Sequence, residues 1–462
     1  MGLTTTSATA RPSAPLRIHA AGAALLLALL ALAYANSFAG GFQFDDFNVI
    51  VREGSVQSLQ AWWRAQPSIR PLLKLSHAAN HAAGWGLAGF HAVNLAVHAA
   101  NTMLVGWLLR ALMPALEGDV RRQRIAAWVG AAVFALHPVQ TEAVTYVSGR
   151  STSLAALFAL ASIVLWLHGR ERGDARVVHL ASPLALAAAL ACKEYAVVAP
   201  FAMLLCARLR GDGIPWREVR VHGIVVAAML AAAWTVPRYR MLLDTSLGLR
   251  DPVGNLLTQA RALSYLAMQL MRIDALNADP ALMAVERFDA AAVFQLALWV
   301  SLPLAALACW QRHPPAAFAL LWFLLWLAPT QSILPRLDVV NDRQLYVALV
   351  GPALALAASM RHAPRGVVVV LLAVLAVATS QRNTVYADEL TYWADVAIKS
   401  PHNARAFANL GHALGQACRT EEARQALDVA LALDPQHHRA AINRRLLDDG
   451  RWPQADCSPR SR

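Results

Sequence analysis

The sequence predicts an all-α protein: a polytopic bundle of about eleven membrane helices followed by a short C-terminal tetratricopeptide-type helical repeat. Three observations lead there. The 462 residues are 57% hydrophobic and only 15% charged, against about a quarter charged in a soluble domain. Apolar stretches recur whose lengths approach the ~20 residues that cross a bilayer. From Pro401 the pattern changes to the alternation of small and large residues found in paired soluble helices. The net charge of +12 does not point to nucleic acid, because the basic residues flank apolar stretches and do not interleave with aromatics.

Residues 1–17, rich in Thr, Ser, Ala and Pro, read as a disordered cytoplasmic tail. Apolar spans are expected near 18–36, 88–110, 124–137, 150–168, 178–192, 195–209, 219–236, 290–311, 315–329, 343–360 and 365–381, so that 18–381 forms one membrane domain. Ala33-Tyr34-Ala35 also fits a signal-peptidase site, and cleavage there is the competing reading of the first span. With the N-terminus in the cytoplasm, the short connections rich in arginine, among them Arg121, Arg122, Arg124, Arg170, Arg172 and Arg176, fall inside. An odd number of spans then sends the C-terminal region outside. The apolar segment 255–272 carries Arg261 and Arg272. Counting it as a span breaks the charge pattern, so it is expected to be an external or re-entrant helix. The alanine- and arginine-rich composition is bacterial in style, which places the chain in a bacterial inner membrane with its C-terminal repeat in the periplasm.

Residues 382–450 read as the repeat domain and 451–462 as a disordered tail. Pro401 and Pro435 stand 34 residues apart, with Phe407, Leu410, Gly411, Leu414, Ala423, Leu427 and Ala430 between them. These fall on the large, small and proline positions of a tetratricopeptide repeat. Thr391 to Ser400 is expected to supply a preceding helix and His437 to Leu447 a following cap. One repeat cannot bury its own face, so the surface either docks on the membrane domain or takes a protein partner. Cys192, Cys206 and Cys309 lie in apolar segments as small core residues, while Cys418 and Cys457 stand where an oxidising compartment allows a disulfide.

Charge gathers at the external ends of the spans. The first external loop holds Phe44-Asp45-Asp46-Phe47, and two adjacent carboxylates between aromatics suit a general base. The next turn reads His137-Pro138-Val139-Gln140-Thr141-Glu142, then Ser148-Gly149-Arg150. Lys193-Glu194 interrupts an apolar run, and Arg336, Asp338, Asp342 and Arg343 precede the tenth span. Four connections thus bring charge to one membrane face, where a functional reading competes with snorkelling and capping. Proton relays and transporter sites instead place charge mid-span. In the second span His91, Asn94, His98 and Asn101 share a helix face, and hydrogen bonds between helices are expected of them. Gly84-Trp85-Gly86-Leu87-Ala88-Gly89 has the letters of a dinucleotide fingerprint but no strand before it.

The order of these motifs resembles a known family. Phe44-Asp45-Asp46 is followed by Arg70-Pro71-Leu72, Phe90-His91-Ala92-Val93-Asn94-Leu95, the His137 and Ser148 turns, Lys193-Glu194, and Asp342-Arg343-Gln344-Leu345-Tyr346-Val347, with a tetratricopeptide segment last. From about residue 38 onward the chain is similar to the transmembrane and tetratricopeptide-repeat-containing O-mannosyltransferases, although it carries one clear repeat rather than many. The resemblance implies a GT-C glycosyltransferase that takes one sugar, mannose in eukaryotic members, from a polyprenyl-phosphate carrier. The acceptor it implies is a hydroxyl outside the cytoplasm, on the Ser or Thr of a protein or on a glycan. Asp45 or Asp46 would then be the catalytic base of an inverting displacement. Arg70, His137, Glu142, Arg150, Lys193, Glu194 and Arg343 would bind substrate, with Arg343, Lys193 and Arg150 facing the lipid phosphate. No cofactor is required by this scheme, and a divalent metal stays open. A non-catalytic scaffold displaying the repeat, or a flippase for lipid-linked glycans, remain as alternatives.

Overall fold

In the computed structural model of the protein, residues 16–113, 119–285, 289–331 and 334–452 are described. Among them every regular element is a helix and no strand occurs. The stretches 1–15 and 453–462, which include most of both expected disordered tails, lie outside the described residues.

Each of the eleven apolar segments contains helix. Five helices are long and apolar enough to cross a membrane: Gly22–Ala39, Gly86–Leu112, Val147–Arg172, Ala290–Ala308 and Arg365–Tyr386. Two more segments qualify only as bent pairs. Trp216–Trp234 continues into Pro237–Leu247 after a 91° bend, and Asp342–Ala348 into Val350–His362 after one of 57°. By length and composition the count is therefore five to seven, not eleven. The other four segments lie in Val120–Leu136, Val177–Cys192, Ala199–Arg210 and Pro314–Leu327. A helix of 12 to 17 residues rises roughly 18–26 Å, short of the ~30 Å hydrocarbon core. Such short elements are tolerated in a bilayer where neighbours cover them. Val120–Leu136 is covered in this way, with Ala127, Ala131, Phe134 and Leu136 inaccessible.

The apolar surface is distributed as a bilayer demands. Phe294, Leu304, Val369 and Val370 are more than 60% exposed on the outer faces of their helices, a cost in water that lipid removes. Inside, polar side chains on Gly86–Leu112 bond across helices. His98 contacts the Tyr346 hydroxyl (Nδ1, 2.7 Å) and the Ala135 carbonyl (Nε2, 3.1 Å). Asn101 donates to Ser153 O and to the Tyr346 hydroxyl, and Asn94 to Val144 O. These are the interhelical bonds that the one-face spacing predicts. The chain is a multi-pass membrane protein.

The segment 255–272 forms Pro252–Gln269, capped by the Asp251 carboxylate at Val253 and Gly254 N–H. It is not among the helices long and apolar enough to cross, and its Arg261 pairs with Asp289 at 3.0 Å. Beyond the last long helix come Glu389–Lys399, Ala404–Gln416, Thr420–Leu433 and His438–Asp448. Ala404–Gln416 packs on Thr420–Leu433 where Gly411 faces Leu427. A Cβ at 411 would lie 2.6 Å from the Leu427 Cγ, so the close approach needs glycine there. These helices rest on the polar end of the bundle. Asn277 donates to the Ser400 hydroxyl (2.8 Å), Lys399 to Leu276 O (2.7 Å), and Arg405 pairs with Asp279 and Asp338. Cys418 is disulfide-bonded while Cys192, Cys206 and Cys309 are free; Cys457 lies outside the described residues.

Candidate active site

At the end of the bundle beneath the C-terminal helices lies a cavity of about 750 Å³. Four separate connections form its wall. Asp45 comes from the first loop, Ser148 from the turn Val147–Gly149 that leads into Arg150–Arg172, Lys193 from the break after Ser182–Cys192, and Arg343 from the bent segment starting at Asp342. Arg70, Lys74, Ser151 and Arg336 also line it, with Glu53 and Arg238 among the further polar residues.

The two adjacent aspartates part company. Phe44 sits in left-handed backbone conformation (φ 37°), uncommon for a residue with a bulky side chain. Its ring packs edge-on against Trp393 at 5.2 Å. After this turn Asp46 is fully buried and its carboxylate accepts the N–H of Gln43 (2.9 Å), the N–H of Ser148 (2.8 Å) and the Ser148 hydroxyl. Burial pushes its carboxyl up to about 7 against these hydrogen bonds. Asp45 is half-buried and lines the cavity, with its N–H donating to the Tyr146 hydroxyl at 3.0 Å. Burial raises its carboxyl above the ordinary range, while Arg343 pulls it back. Gly149 allows the serine turn to close, since a Cβ there would lie 2.2 Å from Glu142 O.

Arg70 is a second side-chain-bearing residue with positive φ (49°), immediately before Pro71. Its guanidinium grips Glu194 through two parallel bonds of 3.0 and 2.8 Å, the bidentate fork that favours arginine. Although burial opposes it, the Arg70 charge holds the Glu194 carboxyl down at about 2. The 91° bend brings Tyr239 over this pair, and its hydroxyl accepts the Arg70 N–H at 3.3 Å. Glu142 accepts the Arg343 backbone N–H at 2.9 Å and stands 3.5 Å from its Nε.

Two cations differ. Lys193 donates only to hydroxyls, Thr152 at 2.7 Å and Ser151 at 3.4 Å, and among the described residues it forms no salt bridge. Burial, then the nearby Arg343, Arg70 and Arg336 charges, press its ammonium well below the usual lysine range. Arg336 has a buried Nη1 without a hydrogen-bond partner, and burial with Arg343 nearby lowers it to about 10. Such a cluster of desolvated like charges suits an anionic ligand.

Not every residue singled out in the sequence faces the cavity. Arg150 is fully buried behind it. Its Nε donates to Asn94 (2.6 Å), Nη1 to Asn80 (2.6 Å) and Ser76 O (3.3 Å), and Nη2 to Phe90 O (3.0 Å). His137 contacts Leu270 O at 3.2 Å and accepts the Val139 N–H at 3.2 Å. Both tie the backbone together from outside the lining. Arg336 and Ser151 are cavity residues that the sequence reading did not select. Arg336 was visible as a loop charge, but its want of a partner is a tertiary fact. Among the described residues no three His, Cys, Asp or Glu side chains converge as a metal site. Gly84 to Gly89 joins two helices, so the fingerprint letters have no strand beside them.

Two further openings meet the cavity. A largely apolar groove runs between Leu190–Ala191 and Met229–Ala233, and it shares Pro67, Ser68 and Val236 with the cavity wall. On the other side, a groove of about 480 Å³ between Phe44–Arg52 and the C-terminal helices shares Asn48.

The chain is 32% identical to protein O-mannosyl-transferase Tmtc2 of Drosophila melanogaster over 225 residues, which cover 44% of this chain and 23% of that protein. It is 31% identical to TMTC4 of Mus musculus over 195 residues (36% and 26%), and 34% identical to Tmtc1 of Drosophila melanogaster over 206 residues (40% and 22%). Both are likewise named protein O-mannosyl-transferases. No protein-family profile matches. The match spans about a quarter of the length of these curated relatives. The curated homologues of this chain are therefore TMTC-type protein O-mannosyl-transferases, at about 30% identity over part of the chain.

Proposed function

We propose that this protein transfers a sugar, mannose by analogy with its relatives, from a polyprenyl-phosphate carrier to a Ser or Thr hydroxyl of a protein. The observation that carries the reading is the joining of two unlike spaces. A cavity lined by Lys193, Arg336 and Arg343 beside Asp45 shares wall residues Pro67, Ser68 and Val236 with an adjoining apolar groove. A lipid phosphate has this dual character, an anion on a hydrocarbon tail. The groove toward the C-terminal helices gives the acceptor a separate approach, through Asn48 to Asp45.

The chemistry follows from the placing. The ionised Asp45 takes the proton of the acceptor hydroxyl as its oxygen bonds to the anomeric carbon. The bond from that carbon to the phosphate oxygen breaks, the electron pair leaves with the polyprenyl phosphate, and the anomeric centre inverts. Lys193, Arg336 and Arg343 stabilise the charge growing on the leaving phosphate. The raised Asp45 carboxyl is a stronger base than an exposed aspartate. Asp46 orders the loop and the Ser148 turn from behind. Arg70 and Glu194 hold each other as a rigid wall, and Glu142 fixes Arg343. The active face is the extracytoplasmic one, which the disulfide at Cys418 also favours.

The test is transfer from radiolabelled polyprenyl-phosphate mannose to protein by purified enzyme, with Asp45→Asn and Asp46→Asn made separately. Asp45→Asn should lose about 10²–10⁴ of the rate at unchanged melting temperature, and Asp46→Asn should lose less. Wild-type rates from Asp45→Asn would remove it as the base. No transfer by the wild type from any polyprenyl-phosphate sugar would overturn the enzyme reading.

A further inference from the structure

We propose that a second, basic pocket at the opposite end of the bundle binds the phosphate headgroup of an anionic phospholipid. The pocket holds about 640 Å³ and lies between the start of Val120–Leu136 and the turn joining Val350–Ser359 to Arg365–Asn383. Val120–Leu136 ends at His137 beside the active cavity, and its 17 residues put roughly 25 Å between the two sites. The pocket is therefore level with the other membrane face.

Arg121, Arg122, Arg361 and Arg365 line it. Among the described residues none of the four joins a salt bridge, and the nearby Asp119 carboxylate is engaged in capping the helix at the Arg121 and Arg122 N–H groups. The His362 ring stands between two of the guanidiniums. Arg122 Nη1 lies 2.7 Å from Nδ1, and Arg361 Nε lies 3.1 Å from Nε2. Guanidinium nitrogens only donate, and a neutral imidazole can accept at one nitrogen alone. The ring can satisfy only one of these two guanidinium contacts, so N–H groups of this exposed arginine cluster remain open to water or to an anion. Phosphate oxygens are the acceptors that arginine forks fit best.

The remaining wall says where the phosphate comes from. Ile125, Val368 and Val369 continue the pocket along the helices, and Ile125 and Val369 are 53% and 64% exposed. Basic residues over an outward apolar wall at the membrane edge match a headgroup above its acyl chains. A free phosphate would use only the basic half.

The test is native mass spectrometry of the purified full-length protein with equimolar phosphatidylglycerol and phosphatidylcholine. The wild type should retain the anionic lipid with about tenfold preference, roughly one charge-assisted hydrogen bond, and excess inorganic phosphate should not displace it. The double variant Arg122→Gln, Arg361→Gln should lose the preference and keep sugar transfer. The residues of a second variant, Arg121→Gln with Arg365→Gln, line the same pocket, and this variant should lose the preference likewise if the first pair fails to fold. Equal retention of both lipids, displacement by inorganic phosphate, or undiminished preference in a folded double variant would each overturn the site.

Discussion

Arg150 and Lys193 lie at the same end of the bundle, the first fully buried and the second half-buried at the cavity wall, and their surroundings differ in kind. Arg150 spends every side-chain nitrogen on Asn94, Asn80, Ser76 O and Phe90 O, which ties three helices together. Lys193 has two hydroxyls, three nearby cations and, more weakly, the Glu194 carboxylate for company, and Arg336 has a nitrogen with no partner. A buried charge is costly unless compensated. Where the compensation is built in, the residue serves the fold. Where it is withheld at a cavity wall, the site is arranged for a ligand that brings the opposite charge. Burial and sequence position alone do not separate the two cases; the hydrogen-bond ledger around each group does.

The sharpest way to break the contrast is to remove each cation. Arg150→Met strands the Asn94 and Asn80 carboxamide oxygens in a dry interior. At about 1–3 kcal/mol for each orphaned group, the expected loss is on the order of 3 kcal/mol, read as a large fall in melting temperature in detergent. A melting temperature within error of wild type would mean that Arg150 does not hold the helices together. Lys193→Met should leave the fold intact or firmer, because it relieves repulsion with Arg343, Arg70 and Arg336. Its effect belongs in the KM for the lipid donor, which should rise about tenfold or more.

A smaller effect is expected from pH. Asp46 titrates at about 7 in the fold, against 3.8 for a free aspartate. A raised folded value means that the folded state holds its proton more tightly. The stability this gives is present below about pH 4 and is lost as pH rises through about 7. Thermal unfolding from pH 4 to 8 should therefore show a decline that Asp46→Asn flattens, and an unaltered slope in that variant would contradict the burial argument. Activity should run the other way over the acid range, since Asp45 works ionised and its carboxyl is also raised. Tyr146→Phe removes a hydrogen bond that favours the ionised form, so the acid limb of the rate profile should move to higher pH.

Much of this was legible in the sequence, for reasons that can be named. Asp45, Lys193 and Arg343 interrupt apolar runs, and charge at a membrane boundary is conspicuous because the bilayer penalises it. The His91, Asn94, His98 and Asn101 stripe announced bonds between helices by its spacing. What stayed hidden depends on direction and neighbours. Two aspartates one residue apart look alike until Phe44 takes a positive φ and sends one inward. Arg150 looked like a ligand for phosphate because its saturation by Asn80, Asn94 and two carbonyls comes from distant segments. The 91° bend before Pro237 was hinted at by the proline alone, and its outcome, Tyr239 over Arg70, is tertiary. Of the eleven expected spans, five to seven pass by length and composition, because covered short helices and lipid-facing ones are equally apolar.

The most direct measurement is the affinity of polyprenyl phosphate, the proposed leaving group, for the protein in nanodiscs. Wild type, Lys193→Met and Arg336→Met would be compared, with melting temperature followed in parallel. If Lys193 and Arg336 await a lipid phosphate, each substitution should weaken binding about tenfold or more without lowering the melting temperature. Equal affinities in all three proteins would contradict the account at its centre.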